Sequence, residues 1–413
     1  MKPNTEISKT AGDSSPEKSS AEIVASFNNL LTDIYLRLPL KPLARFKLVS
    51  KHWNSLISNH LRNLEPNPAE GLVFDCANFA ERHANNLPHA YILSFNKSFE
   101  KLTFTKEYPG RWRTRILHSC NGLWVCGPHE GLGKYYVCNP TTKKLSILPE
   151  LEKRCGSSKK IHGMILAFDP FKSPYYKVVC VLEFGDLMDD QYQFKIYSSK
   201  TGSWSKCSKP FTAQVNFQDG VYWNGSIHWI SFTETGKSLY FNPDDQMLKT
   251  MPMPPIQEDS YSRRNYYFGE SCDHLHYIDT YRKMLFEFNV YEMKRDYSEW
   301  FVKYKGGLSH VINNLCFICA LVRGKKDENS FLVLRIKGKI IRYNLVYKTS
   351  ETIHELDDVQ RHFFTRARFP IHHEVPPRRE PSGILIFLVK SVGAVCGKVS
   401  RSKDGDQDVE EDE

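Results

Sequence analysis

The side chains able to do chemistry are cysteines and histidines, and each cluster competes with an ordinary structural role. Cys316-Phe317-Ile318-Cys319 has the spacing of a zinc or redox pair. No second pair stands at zinc-finger distance, and the residues sit in the apolar run LCFICALV, which reads as a buried strand. Cys272, His274 and His276 alternate, so on a strand they would share one face and could offer three ligands to a metal. Cys155 is flanked by Arg154, Lys159 and Lys160, cations that lower a thiol's pKa and would suit a reactive cysteine. No catalytic domain surrounds it. His162 and the pair His372-His373 are isolated and read as structural or solvated. Gly131-Leu132-Gly133 lacks the rest of either nucleotide fingerprint. Asn139 and Asn242 each precede a proline and read as turn formers. The residues therefore call for no catalytic group, no metal and no cofactor.

Composition narrows the class. The 413 residues are 41% hydrophobic, enough for one large domain and a small one. The 25 Phe, 21 Tyr and 7 Trp lean towards strands. Net charge is +9, but the basic residues are scattered, which points to a solvated surface and not to nucleic acid. Lys325-Lys326 and Arg378-Arg379 read the same way, in preference to nuclear signals. No stretch approaches the ~20 apolar residues of a membrane span, and residues 1–20 carry no apolar signal core. The expected location is the cytoplasm, the nucleus or both. The 11 cysteines suit that reducing setting: their number is odd, and several, such as Cys180 in KVVCVLEF, look like small buried hydrophobes.

Four segments follow along the chain. Residues 1–22 are polar and too poor in apolar surface to fold, and residues 400–413 end in an acidic run; both are expected to be disordered tails. Residues 24–64 have helical spacing. Leu30, Leu31, Ile34, Tyr35 and Leu38 recur at threes and fours, Asn28 or Asn29 can cap the start, and Pro39 ends the helix. Pro42 opens a second helix with Leu43, Phe46, Val49, Trp53, Leu56 and Ile57 on one side. From about residue 71 to 392 helical spacing gives way to short apolar runs broken by Gly, Pro, Asn and Asp, the pattern of an all-β domain.

That region carries a weak repeat. An apolar strand, a polar turn and a second strand recur in YYVCNPTTKKLSIL, FKIYSSKTGSWSKC, LYFNPDDQMLKTM, EFNVYEMKRDYSEW and IRYNLVYKTSETI. Taking Asn139, Ser198, Asn242, Asn289 and Asn344 as equivalent gives spacings of 44 to 59 residues. Blades of four strands recur at roughly 40–50 residues, so the expected fold is a β-propeller of about six blades. The late run GILIFLV would return to close the first blade. Two packed β-sandwiches are the alternative.

The run LLTDIYLRLPLKPLARFKLVSKHWNSLISNH, residues 30–60, resembles the F-box of plant proteins without a gap. It departs at one place, where the family's opening Leu-Pro falls on Ser26-Phe27. The pieces SCNGLWVCG, YYVCNPTTKKLSILP, AFDPFKSPYYKVV, IYSSKTGSW, NGSIHWI and VYEMKRDYSEW resemble the F-box-associated, kelch-like propeller domain of the same proteins. The resemblance implies a mostly β chain with a small helical F-box ahead. It also implies a non-catalytic adaptor that recruits a protein substrate to an SCF-type ubiquitin ligase, through a Skp-type adaptor and a cullin. A helical unit too small to bury its own apolar residues is a natural docking element. On this reading Leu30, Leu31, Ile34, Leu38, Pro39 and Leu43 face the adaptor, and Val49, Trp53 and Leu56 pack the unit or its rim.

A substrate would sit on the propeller loops at one end of the axis, since loops vary on a rigid frame. Candidate loops cover residues 129–134, 186–191, 261–267 and 376–379. Arg263, Arg264, Tyr266 and Tyr267 stand out, because Arg and Tyr are the types that anchor interfaces. The competing class is a propeller enzyme or glycan-binding propeller with a helical accessory, which should show convergent carboxylates or a metal cluster on the axis.

Overall fold

Short strands separated by tight turns form nearly all the regular structure of the computed structural model from Gly71 onward. The structure describes residues 23–24, 27–37, 49–53, 55–56, 71–75, 90–95, 99–102, 114–128, 133–140, 144–151, 160–170, 172–183, 191–206, 209–231, 237–255, 265–280, 287–308, 317–324, 326–336, 338–356 and 385–389. By its contacts the chain divides into two units, Met1–Leu64 and Glu65–Glu413.

In the first unit the main element is α1 (Asn28–Arg37), which stops two residues before Pro39. Thr32 Oγ1 donates to the Asn28 carbonyl. Ser50 opens the next helical turn, its Oγ accepting from the Trp53 amide at 3.1 Å, which satisfies one orphan donor of that turn. Of the expected second-helix residues, Leu43 lies outside the described residues, as do Leu38 and Pro39.

The second unit contains six sheets among the described residues. The first joins β1 (Gly71–Asp75), β2 (Ala90–Ser94) and β3 (Phe99–Leu102) to the last strand, β25 (Leu385–Val389). The other five are each built from consecutive strands. The second holds β4 (Thr114–Cys120), β5 (Leu123–Pro128), β6 (Tyr136–Asn139) and β7 (Lys144–Ile147). The third holds β8 (Ile161–Ala167), β9 (Lys177–Glu183), β10 (Gln191–Ser198) and β11 (Ser203–Lys206), with β12 (Phe211–Thr212) added on β10. In the fourth are β13 (Val221–Trp223), β14 (Ser226–Trp229), β15 (Ser238–Asn242) and β16 (Met247–Met251). The fifth contains β17 (Asn265–Ser271), β18 (His274–Thr280), β19 (Glu287–Met293) and β20 (Trp300–Gly307). The sixth contains β21 (Phe317–Val322), β22 (Phe331–Ile336), β23 (Lys339–Asn344) and β24 (Ser350–Glu355).

The inner strands touch in a ring: β25 meets β4, then β8, β13, β17 and β21 follow, and β21 returns to β25. This is a β-propeller, and the late strand does close the first blade, pairing Gly71 with Val389 and Asp75 with Leu385. The two-sandwich alternative is set aside, since the six sheets of the described residues meet one after another in a ring. Apolar side chains fill each interface between blades. Val73 meets Ile116, Trp124 and Tyr136 between the first two. Phe194, Trp229 and Phe241 pack between the third and fourth, and Leu321, Leu332 and Tyr343 between the fifth and sixth. Each such fully buried side chain contributes about 1.5–3 kcal/mol. The ring is completed between the sixth and first blades, where Phe331 meets Phe95 edge-on and Arg342 stacks on Phe331 while donating to the Phe95 carbonyl.

Two turns repeat around the ring. The first hairpin of three blades turns on two left-handed residues, Asn121-Gly122, Asn224-Gly225 and Cys272-Asp273. This is the twist-matched two-residue turn that Asn-Gly favours. Cys272, suspected as a metal ligand, thus holds a turn position, and its Sγ donates to the Arg323 carbonyl. The third-to-fourth strand turn repeats a left-handed residue at Gly202, Gln246, Tyr297 and Lys348. Here the sequence register needs one correction. The strands before these turns end at Ser198, Asn242, Met293 and Asn344, so Met293 and not Asn289 is the fifth-blade equivalent. Asn242 and Asn344 brace their turns by accepting from amides two and three residues on. Met293 has no side-chain oxygen to do this. There the bulky left-handed Tyr297 is held instead by stacking on Tyr240, with ring centres 4.3 Å apart, and by a 2.9 Å hydrogen bond to His228 Nε2.

Candidate functional site

On α1 the apolar residues split between two faces. Leu31 is buried, whereas Leu30 and Ile34 lie in solvent. Val49 is also exposed, and Trp53 and Leu56 are half-buried. Leu30, Ile34 and Val49 are therefore available for contact, and Leu31 packs within the chain. No helix among the described residues is long and apolar enough to cross a membrane.

The four candidate substrate loops all join a second strand to a third or a fourth strand to the next blade's first: β5 to β6, β9 to β10, β16 to β17 and β24 to β25. In a ring of blades that repeat one strand order, such connections open at the same end. Arg263 and Arg264 lie outside the described residues. Tyr266 and Tyr267 are not loop residues, and this corrects the loop reading for both: β17 begins at Asn265. Tyr266 stacks on Tyr277, and its hydroxyl donates to Asp219 Oδ2 at 3.2 Å. Tyr267 packs against the core between the fifth and sixth blades. Burial pushes both phenol pKa values up.

The same end holds groups that sequence spacing missed. His162, the second residue of β8, faces Glu183 at the end of β9, with Nε2 3.4 Å from Oε2, and it meets Tyr192 edge-on. Asp219 accepts from both Asn216 Nδ2 and Tyr266. Gly163, next to His162, has no room for a side chain, since a Cβ would stand 2.5 Å from the Phe217 carbonyl oxygen.

Three histidines are buried, and two of them, His118 and His228, link blades. His118 on β4 accepts from the Leu166 amide of β8 at Nδ1, so its proton sits on Nε2 and is donated to the Gly220 carbonyl, 2.8 Å away. Burial lowers its pKa to about 4, against the opposing pull of that carbonyl. Burial likewise lowers His228 to about 3. His276 is lowered to about 3 by burial first and then by the Arg323 charge. Its ring nitrogens make no close hydrogen bond among the described residues, and Glu292 Oε2 stands 3.9 Å from Nδ1. Arg323 Nη1 already engages that carboxylate at 2.7 Å.

His274 and His276 face Glu292, and His274 Nδ1 donates to the Cys272 carbonyl at 2.7 Å and does not meet its thiol; no three His, Cys, Asp or Glu side chains are grouped to hold a metal among the described residues. Cys319 is buried, with its thiol pushed up to about 12, and burial also pushes the Cys180 thiol up. Such thiols are poor nucleophiles and poor ligands. Cys155, Cys316, His372 and His373 lie outside the described residues.

Comparison with known proteins agrees with these units. The F-box domain profile matches residues 28–64, and the F-box associated beta propeller domain profile matches residues 74–269. F-box protein At5g07610 of Arabidopsis thaliana is 28% identical over 402 residues, covering 85% of this chain and 91% of its own length. F-box proteins At5g49610 and At4g19940 of the same plant are 29% and 26% identical, covering 49% and 55% of this chain and 57% and 59% of their own lengths. Members of the F-box family are generally non-catalytic adaptors, and the domain implies binding to a Skp-type partner. With its N-terminal F-box and the propeller behind it, the chain is an F-box protein of the plant type that carries an F-box-associated β-propeller domain.

Proposed function

We propose that this chain is the substrate-recognition subunit of an SCF-type ubiquitin ligase, acting in the cytoplasm, the nucleus or both. Its F-box docks on a Skp-type adaptor and through it on a cullin, and its propeller holds a protein substrate. The observation that carries the reading is the coupling, in one chain, of an F-box at residues 28–64 to a propeller. Exposed Leu30, Ile34 and Val49 support it. The chain itself performs no catalysis on this reading. The test is calorimetry of the purified full-length protein with a Skp-type adaptor. Replacing Leu30 and Ile34 with Ala, or Leu38 and Pro39 with Ala, should weaken binding strongly, because truncating an interface anchor commonly costs about 2 kcal/mol or more. Parent-like affinity in both double variants would remove these residues from the interface.

For the substrate, Arg263 and Arg264 are the proposed anchors, with Tyr266 and Tyr267 fixing the strand that follows them. Guanidinium groups pair with carboxylate and phosphate through two parallel hydrogen bonds, so the ligand is an acidic or phosphorylated segment. Replacing both arginines with Glu should change the proteins captured from proteasome-inhibited cells and leave adaptor affinity intact. An identical captured set would place the substrate elsewhere.

A further inference from the structure

We infer that Arg115 is a further anchor for substrate, taking an anionic side chain, a carboxylate or a phosphate, at the mouth of the interface between the second and third blades. This site rests on the reading above that the propeller end with the candidate loops holds an acidic or phosphorylated segment. Arg115 is the second residue of β4, the inner strand of the second blade. In the repeating strand order, β4 begins at the end where the β5 to β6 and β9 to β10 connections open. Its surroundings leave the cation unanswered. Arg115 is half-buried, and its Nε is out of water with no hydrogen-bond partner. No hydrogen bond or ion pair engages it among the described residues. The other described arginines of the propeller are all engaged. Arg295 bonds Asp273, Arg323 bonds Glu292, Arg335 lies over Phe317, and Arg342 lies over Phe331. A donor taken out of water without a partner is unfavourable, and an incoming anion relieves that.

Local packing sets where the side chain lies. Arg115 pairs with Gly127 of β5, and register partners share a face of the sheet. A Cβ on Gly127 would stand 2.6 Å from the Tyr135 ring and 2.8 Å from Leu117. Leu117 and Tyr135 both pack against the core shared by the second and third blades. Arg115 therefore lies on the face turned to the third blade, with Tyr135 beside it. The Tyr135 phenol reports this proximity: burial raises its pKa, and the Arg115 charge pulls it back. An arginine beside a tyrosine offers an anion a two-pronged guanidinium and a neighbouring hydroxyl donor. Lys134 and Lys160 are exposed at the same end and add to the positive field.

The experiment measures binding of fluorescent peptide pools to the purified full-length protein. The pools have random sequence with phosphoserine, glutamate or serine fixed at the centre. The parent should bind the phosphoserine pool, the glutamate pool or both more tightly than the serine pool, and the tighter of the two identifies the anion. Arg115→Gln should reduce that preference about tenfold or more, as loss of a charge-assisted pair implies. Arg115→Lys keeps the charge without the fork and should lose part of it. Neither variant should lower the melting temperature, since no described partner of Arg115 is left behind, and affinity for a Skp-type adaptor should stay at the parent value. If Arg115→Gln keeps the parent's preference, the inference fails; loss of preference in Arg263→Glu/Arg264→Glu in the same assay would then leave the loop reading standing. If the parent shows no preference, the acidic-substrate reading falls and takes this one with it. Lower melting in both Arg115 variants makes the side chain structural and also overturns the inference.

Discussion

Between pH 7 and pH 5 the propeller is expected to lose about 6 kcal/mol of stability, through three histidines it buries in neutral form. Unfolded histidine takes up a proton near pH 6.5. In the folded chain His118 resists protonation down to about 4, and His228 and His276 down to about 3. Each folded pKa is depressed, so the unfolded state binds more protons over this window and stability falls as pH falls below 6.5. Each histidine removes about 1.4 kcal/mol per pH unit, or about 2 kcal/mol by pH 5. The loss ends only where the folded histidines themselves titrate.

Surroundings make the penalty hard to relieve. Protonating His118 breaks the hydrogen bond that Nδ1 accepts from Leu166. His228 is enclosed by Trp223, Tyr240 and Tyr297, with no carboxylate among its bonded partners. His276 faces Glu292, but Arg323, Lys303 and His274 stand against a further charge. A domain of this kind has about 5–15 kcal/mol in total, so pH 5 should bring it close to unfolding. Urea midpoints at the two pH values test this, and equal midpoints with equal slopes would sink it. His276→Leu should keep the fold and shrink the difference by about 2 kcal/mol, since one titrating group is gone.

A chain ending at residue 384 should lose the closed propeller. Without β25, the first sheet keeps only β1 to β3, and the five pairs from Gly71 with Val389 to Asp75 with Leu385 are gone. Leu72 and Val73, both fully buried, then sit on an open sheet edge. Exposing two such side chains removes about 3–6 kcal/mol, before lost ladder bonds of about 0.5–1.5 kcal/mol each are counted. The expected readout is a melting temperature lower by on the order of 10 °C or more, with aggregation on heating. A synthetic peptide of residues 380–392 should restore melting by filling the vacant edge. Removing only residues 400–413 should change nothing. A 384-residue chain that melts like the parent would show that the ring closes without this strand.

The sequence by itself determined what is local. The F-box was legible because its signal is one ungapped run whose helical spacing and prolines act within a few residues. The blades were legible because apolar runs of strand length lie between turn residues, and because a strand, a polar turn and a second strand recur at blade-like spacing. Even the closing role of the late strand was readable from its apolar character.

Only the tertiary structure decided what depends on neighbouring blades. His162 looked isolated, yet it faces Glu183 across two strands. His118 reaches Gly220, which is 102 residues away in the chain. Cys272 and His276 looked like co-ligands from their spacing, but a left-handed turn takes the cysteine to Arg323 and leaves the histidine against Glu292. Met293 was hidden as the fifth-blade equivalent because the signal sought was a turn-bracing Asn or Ser. In that blade Tyr297 holds the turn from outside, through His228 and Tyr240 of the preceding one. Periodicity reports which face a side chain takes, because alternation is a property of one strand. What lies opposite that face is set by the closure of the ring, and no local run of residues encodes it.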